Sequence, residues 1–194
     1  MKTGLLIIIS GPSGVGKGTV LKHVMADDSL NLAFSVSMTT RPQRAHEVDG
    51  QNYFFVSKDV FADYVKKDAF LEHVEFVGNS YGTPREYVES LRKKGINVVL
   101  EIEVEGAKQV MRRIRDQKVV TIFLIPPTFE ELEKRILGRS TESAEAINER
   151  LEKAKRELSE KFLYQHIVLN DDPLRAADEI RSIIRNKLNT RIIG

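Results

Sequence analysis

Three apolar runs constrain the fold of this chain more than any other feature: LLIII at 5–9, the start of NVVLEIE at 97–103, and VVTIFLI at 119–125. A strand that is apolar at successive positions, and not only at alternate ones, is buried on both faces. Such strands belong in a parallel sheet covered on each side by helices. The intervening sequence supplies them. Val20, Leu21, Val24 and Met25 fall on one helical face after the first run, and Val110, Met111 and Ile114 do so after the second. After the third, Thr128 and Glu131 predict the cap of a helix carrying Leu132, Arg135, Ile136 and Arg139. A long charged helix is expected over about 144–162, a short strand over HIVLN (166–170), and a last helix opened by Pro173. The pattern is α/β.

Residues 34–95 interrupt this alternation with β-rich sequence. FSVSMTT (34–40), YFFVS (53–57) and FLEHVEFV (70–77) read as strands, and Val60, Phe61, Tyr64 and Val65 mark an amphipathic segment between them. Thr83-Pro84-Arg85-Glu86 has the spacing of a capping box with proline at the first helical position, which predicts a helix start with Thr83 as its cap. The stretch reads as a small insert holding a second ligand beside the core. The 194 residues suffice for one domain with a substantial core, or for one domain carrying an insertion. Thirty basic residues against 28 acidic ones leave a net charge of +2, too little to argue for nucleic acid or an anionic membrane. The absence of cysteine excludes disulfides and thiolate metal sites. The first apolar run is too short for a signal sequence or a membrane span, so a soluble cytoplasmic protein is expected.

The segment ISGPSGVGKGTV (9–20) carries the chemistry. Glycines let a turn direct successive backbone N–H groups at a polyphosphate, and the helix that follows adds the positive end of its dipole. Gly11, Gly14 and Gly16 allow that approach, and Lys17 adds a point charge. Strand, loop and helix stand in the order a phosphate loop requires. The position after the lysine, usually a magnesium-reaching Ser or Thr, is Gly18, with Thr19 one place later. Glu101 and Glu103, alternate residues at a strand end, are expected to project together toward a metal or substrate. Arg41 and Arg44, three apart in TTRPQR, suit a second phosphate, and Tyr53 and Tyr81 bring hydroxyls nearby. His23, His46, His73 and His166 are scattered without metal or triad spacing.

Taken together, SGPSGVGKGT, FSVSMTTRPQR, EVDGQNYFFVS, FLEHVEFVGNSYGT, VVLEIEVEGAKQV, LGRSTES and VLND resemble the guanylate kinases in order and spacing, over nearly the whole chain. The resemblance implies one domain over 1–194. Its parts would be a parallel-sheet phosphate-loop kinase core (about 1–33 and 96–194), a GMP-binding insert (about 34–95) and a lid (about 135–150). It implies that ATP lies on Gly11, Pro12, Ser13, Gly14, Val15, Gly16, Lys17, Gly18 and Thr19, with Asn170 at the adenine. GMP would be held by Ser37, Arg41, Arg44, Tyr53, Glu72, Tyr81, Thr83 and Glu103. Of these, Glu72, Ser37 and Thr83 would read the guanine. Lys17, Arg41, Arg135, Arg139 and Arg150 would bracket the transferring phosphoryl group. Magnesium would be held mainly by the nucleotides and water, with support from Glu101, as the GKGT ending suggests. Homo-oligomerisation is left open. Three positions depart from the family pattern: Glu103 is commonly aspartate, Pro42 follows Arg41 directly, and His46 stands where a small residue is usual. Two other readings share the architecture: a scaffold domain, which would have a degraded phosphate loop, and a kinase of another phosphorylated acceptor, which would have little use for Ser37, Glu72 and Thr83.

Overall fold

The first apolar run becomes strand β1 (Leu6–Ser10), and its side chains divide between the two faces of a sheet. Leu5, Ile7 and Ile9 enter one core with Val20, Leu21, Ile180 and Ile184. Leu6 and Ile8 enter another with Val88, Val98, Leu100, Val104 and Phe123. Each buried Leu or Ile contributes on the order of 1.5–3 kcal/mol. The structure is a computed structural model that describes residues 3–76, 78–114, 116–138 and 144–190.

In chain order the remaining strands are β2 (Leu32–Phe34), β3 (Met38–Thr39), β4 (Phe54–Phe55), β5 (Phe70–Phe76), β6 (Asn79–Pro84), β7 (Asn97–Glu101), β8 (Val119–Ile125) and β9 (His166–Leu169). The helices are α1 (Lys17–Met25), α2 (Lys58–Lys66), α3 (Arg85–Lys93), α4 (Val104–Arg113), α5 (Phe129–Leu137), α6 (Ala144–Ser159) and α7 (Pro173–Asn189). The main sheet has the order β2-β7-β1-β8-β9, and every pairing in it is parallel. Helices α1, α5 and α7 pack on one face and α3 and α4 on the other. A second sheet, β4-β3-β6-β5, is mixed: β3 and β4 are parallel, while β6 runs antiparallel to both β3 and β5.

Helix α4 fixes the second sheet to the first. Gln109 acts as a strand would toward β5: its Oε1 accepts from His73 N at 3.2 Å, and its Nε2 donates to His73 O at 3.0 Å. One turn on, Arg113 Nη1 donates to Phe70 O at 2.8 Å and pairs with Asp68 at 2.8 Å.

Three local expectations are corrected. Thr83 caps no helix: α3 starts at Arg85 after Pro84, and Thr83 lies in β6 with its hydroxyl turned inward to Glu72. The strand expected to reach residue 103 ends at Glu101, and Glu103 instead occupies the capping position of α4. The 34–40 stretch is shared out, since Phe34 pairs with Val99 in the main sheet and Met38 with Gly82 in the second. Thr128 caps α5 as expected, accepting from Glu131 N at 3.1 Å. Among the described residues, no helix is long and apolar enough to cross a membrane.

Ile8 is fully buried and stands between Leu100 and Thr121 in the sheet. Ile8→Ala should cost about 2–5 kcal/mol of unfolding free energy. Urea titration should show it as a lowered midpoint with an unchanged slope.

Candidate functional site

The turn from β1 into α1 closes tightly. Gly14 and Gly16 have φ of 85° and 94°, the left-handed region that glycine enters without cost. A side chain would also lack room: a Cβ on Gly16 would stand 2.8 Å from Asn170 Nδ2, and one on Gly14 would stand 3.1 Å from Ile136. Two residues hold the turn from below through one carbonyl. Asn170 Nδ2 donates to Val15 O at 2.7 Å, and Arg135 Nη1 donates to the same oxygen at 3.2 Å. Lys17 folds back over the loop, with Nζ donating to Gly11 O at 2.8 Å. Burial lowers the Lys17 pKa from its usual value, against the opposing pull of Glu101, Glu157 and Glu103.

The parallel register sets what faces this loop. Ile9 pairs with Glu101, so the end of β7 arrives beside the end of β1. Gly11–Thr19, Glu101 and Glu103 line a cavity of about 540 Å³ that also touches Tyr53 and Glu157. A second cavity, of about 430 Å³, adjoins it through Tyr53, Glu101, Ile102 and Glu103, and reaches Ser37, Glu72, Tyr81 and Gly106. Tyr53 and the segment 101–103 line both spaces.

Helix α6 sends two charges into the meeting point. Lys153 Nζ lies 2.7 Å from Glu103 and 3.7 Å from Glu157. Glu157 accepts a long contact from Ser13 N at 3.4 Å, and burial pushes its carboxyl up. In the second cavity Glu72 is buried, and it accepts the Thr83 hydroxyl at 2.6 Å. Burial raises the Glu72 pKa, and the Thr83 bond pulls the other way.

Arg41 is held on two sides. Its Nη1 and Nη2 form a fork on Glu47 at 3.0 and 2.6 Å, and Nη1 also donates to Pro42 O at 2.8 Å. The Tyr53 ring stacks on the guanidinium, 5.5 Å from its centroid, and the Tyr81 ring packs edge-on against Tyr53. Glu47 also accepts from Arg44 N at 2.9 Å. Its carboxyl is pulled down to about 2, chiefly by Arg41 and then by the Arg44 N–H.

The structure therefore gathers the loop with Glu101, Glu103 and Tyr53, and it gathers Ser37 and Tyr81 around Glu72 and Thr83. Arg41, beside Tyr53, and Arg135, beneath the loop, line neither cavity, and three more expected residues stand elsewhere. Asn170 is buried beneath the loop and does not line the first cavity. Arg44 is exposed. Arg150 borders a third cavity, of about 550 Å³, with Phe76 and Arg156. Arg139 lies outside the described residues. Sequence reasoning missed Glu47, Lys153, Glu157 and Gly106. Glu47 follows Arg44 by three residues, a spacing that has no meaning without the turn between them, and the others meet the site only through long-range packing. Among the described residues there is no group of three or more side chains that would hold a metal ion by themselves.

The family model described as Guanylate kinase matches residues 3–187. The guanylate kinase of Mesoplasma florum is 52% identical over 181 residues, which cover 93% of this chain and 60% of that protein. The guanylate kinase of Mycoplasma mycoides subsp. mycoides is 52% identical over 184 residues, covering 95% of this chain and 61% of that protein. The chain thus spans about three-fifths of the length of these curated relatives. The crystal structure of guanylate kinase from Anaplasma phagocytophilum matches with a TM-score of 0.73 at 32% identity, covering 98% of this chain and 89% of that one.

The Glu47 fork has a measurable signature. Its carboxyl should titrate near 2 in the native protein, followed by side-chain carbon NMR, and Arg41→Leu should return it toward 4.5. Because the folded value lies below the unfolded one, the pair supports the fold fully above pH 4.5 and loses its contribution as pH falls toward 2. A native Glu47 titrating near 4.5 would disprove the fork.

Proposed function

This chain belongs to the guanylate kinase family, and we propose that it transfers the γ-phosphoryl group of ATP to GMP, giving ADP and GDP. One observation carries the reading. A cavity floored by a phosphate loop and a cavity floored by a buried carboxylate share a wall at Tyr53, Glu101 and Glu103.

In this reading the ATP phosphates lie on the backbone amides of Gly11–Thr19 at the start of α1, where the helix dipole and Lys17 favour negative charge. The second cavity takes GMP. Guanine presents two adjacent donors, N1–H and the exocyclic amine, to the Glu72 carboxylate. Burial raises the Glu72 pKa, and those two donors would stabilise its charged form. Adenine would instead turn a lone pair toward it, and a site built on such bonds rejects the mismatch strongly. The phosphate of GMP would meet Arg41, Arg44, Tyr53 and Tyr81. Glu47 and the Pro42 carbonyl take three of the Arg41 N–H groups, which leaves Nε–H and one Nη2–H to be shared with Tyr81 and a phosphate oxygen.

The residues suit magnesium in its usual mode. Glu101 is an exposed carboxylate on the shared wall, and no closed protein cage surrounds it among the described residues. Magnesium keeps several waters and binds one or two carboxylates together with substrate phosphates. When bound, it offsets charge on the polyphosphate. Gly18 in place of a hydroxyl residue fits a site in which the nucleotides supply most of the ligands.

The attacking group is an oxygen of an already anionic phosphate, so no strong general base is required. What the chain supplies is position and positive charge. Lys17 is already at the loop, and Arg135 touches its underside. Arg139 and Arg150 would come to the transferring group as the lid over 135–150 closes, which would also exclude water.

A coupled assay of ADP release with GMP, AMP, UMP and CMP as competing acceptors should select GMP, and equal rates with all four would reject the reading. Lys17→Ala should lower turnover by about 10²–10³-fold through lost transition-state charge stabilisation, with the unfolding midpoint unchanged. Near-normal turnover in that variant would remove the loop from the mechanism.

A further inference from the structure

Gly106 lies in the first turns of α4, where its backbone is helical and not in the left-handed region. Nothing in that conformation calls for glycine, and alanine is the better helix former. What opposes a side chain here is one other residue. A Cβ on Gly106 would stand 2.8 Å from Glu72 Oε2, 3.3 Å from its Cδ and 3.5 Å from its Cγ, and these are the three nearest atoms. Ordinary van der Waals contact begins at 3.4 Å. Gly4 offers a contrast: its Cβ would lie 1.9 Å from the Ile96 carbonyl oxygen, so glycine there protects the backbone path itself. At position 106 it protects the place of a carboxylate.

Glu72 has little freedom to give way and keep its bond. Its other oxygen, Oε1, is held at 2.6 Å by the hydroxyl of Thr83, which is fully buried in β6. With α4 behind it and Thr83 at one end, the open direction for the carboxylate is the second cavity, which both Glu72 and Gly106 line.

We propose that Gly106 is the specificity-determining position behind Glu72. Its missing side chain lets the carboxylate lie against α4 and present its edge to a nucleobase with two adjacent N–H donors. Any side chain at 106 drives the carboxylate forward into the space of the base and turns it away from that paired geometry. The inference rests on the guanine reading of Glu72 and adds to it the element that sets the carboxylate's depth.

The test compares the wild-type protein with Gly106→Ala. Calorimetry measures binding of GMP, AMP and ATP separately, and thermal unfolding is followed without nucleotide. The expected result is a GMP affinity lower by about 10–100-fold, since both bonds to one carboxylate are misplaced. ATP affinity should stay within about twofold, the preference for GMP over AMP should narrow, and the unfolding midpoint should fall only slightly, because alanine's helix propensity offsets part of the loss at the strained Glu72–Thr83 bond. A variant that binds GMP like the wild type overturns the proposal and leaves the function intact. A lowered midpoint with GMP and ATP weakened alike also overturns it, because glycine would then serve only the fold. A wild type that binds AMP as well as GMP refutes the guanine reading itself.

Discussion

Parallel pairing of β1 with β7 is the constraint from which the site follows. Because the strands run the same way, their carboxyl ends lie side by side, and the register that joins Ile9 to Glu101 brings the glycine turn level with two glutamates. From that edge the chain leaves in opposite directions. After β1 it enters α1 on one face, and after β7 it enters α4 on the other. A crevice opens where such connections diverge, and open parallel sheets bind ligands there. The same burial that makes β1 apolar on both faces therefore dictates where polar chemistry can occur.

Charge is organised around this crevice by mutual satisfaction. Lys17 is partly stripped of water and faces Glu101, Glu103 and Glu157; Lys153 joins Glu103 to Glu157; Glu47 fixes Arg41. A cation so placed keeps its orientation, since each carboxylate removes rotational freedom that phosphate binding would otherwise have to restrict. Arg41 shows the economy of this arrangement. One carboxylate and the Pro42 carbonyl set its plane, Tyr53 covers a face, and two N–H groups remain for Tyr81 and one further acceptor. The proposed transfer depends on bringing two polyanions together, and positive groups already held in place lose little entropy when they do so.

Much of this was legible in the sequence, for physical reasons that also mark the limits. The apolar runs at 5–9, 98–100 (within NVVLEIE) and 119–125 predicted doubly covered strands because burial on both faces leaves no polar alternation, and glycine spacing predicted the turn because few residues tolerate its angles. Local rules failed where a distant partner intervened. Thr83-Pro84-Arg85-Glu86 has the form of a capping box, yet a buried carboxylate eleven positions earlier takes the threonine hydroxyl, and the helix starts without it. Glu103 was expected on a strand with Glu101, but the chain turns into α4 between them. Glu47, Lys153 and Glu157 look like ordinary surface charges in sequence, because only the tertiary fold brings them to Arg41 and the phosphate loop. Asn170 was recognised, but its placement differs: its amide supports Val15 from below.

Helix α4 joins these pieces into one mechanism of alignment. It begins at Glu103, on the wall shared by the two cavities, and carries Gly106, Gln109 and Arg113 at spacings of three and four, so all three face the same neighbour. That neighbour is β5. Arg113 and Gln109 hold its backbone at Phe70 and His73, and Gly106 receives the side chain of Glu72 between them. The depth of Glu72 is thus measured from the same helix whose first residues follow directly from β7 and Glu101. In the proposed reading, the carboxylate that would meet the base and the glutamates that face the glycine turn are thus joined by one short path, from the end of β7 into α4.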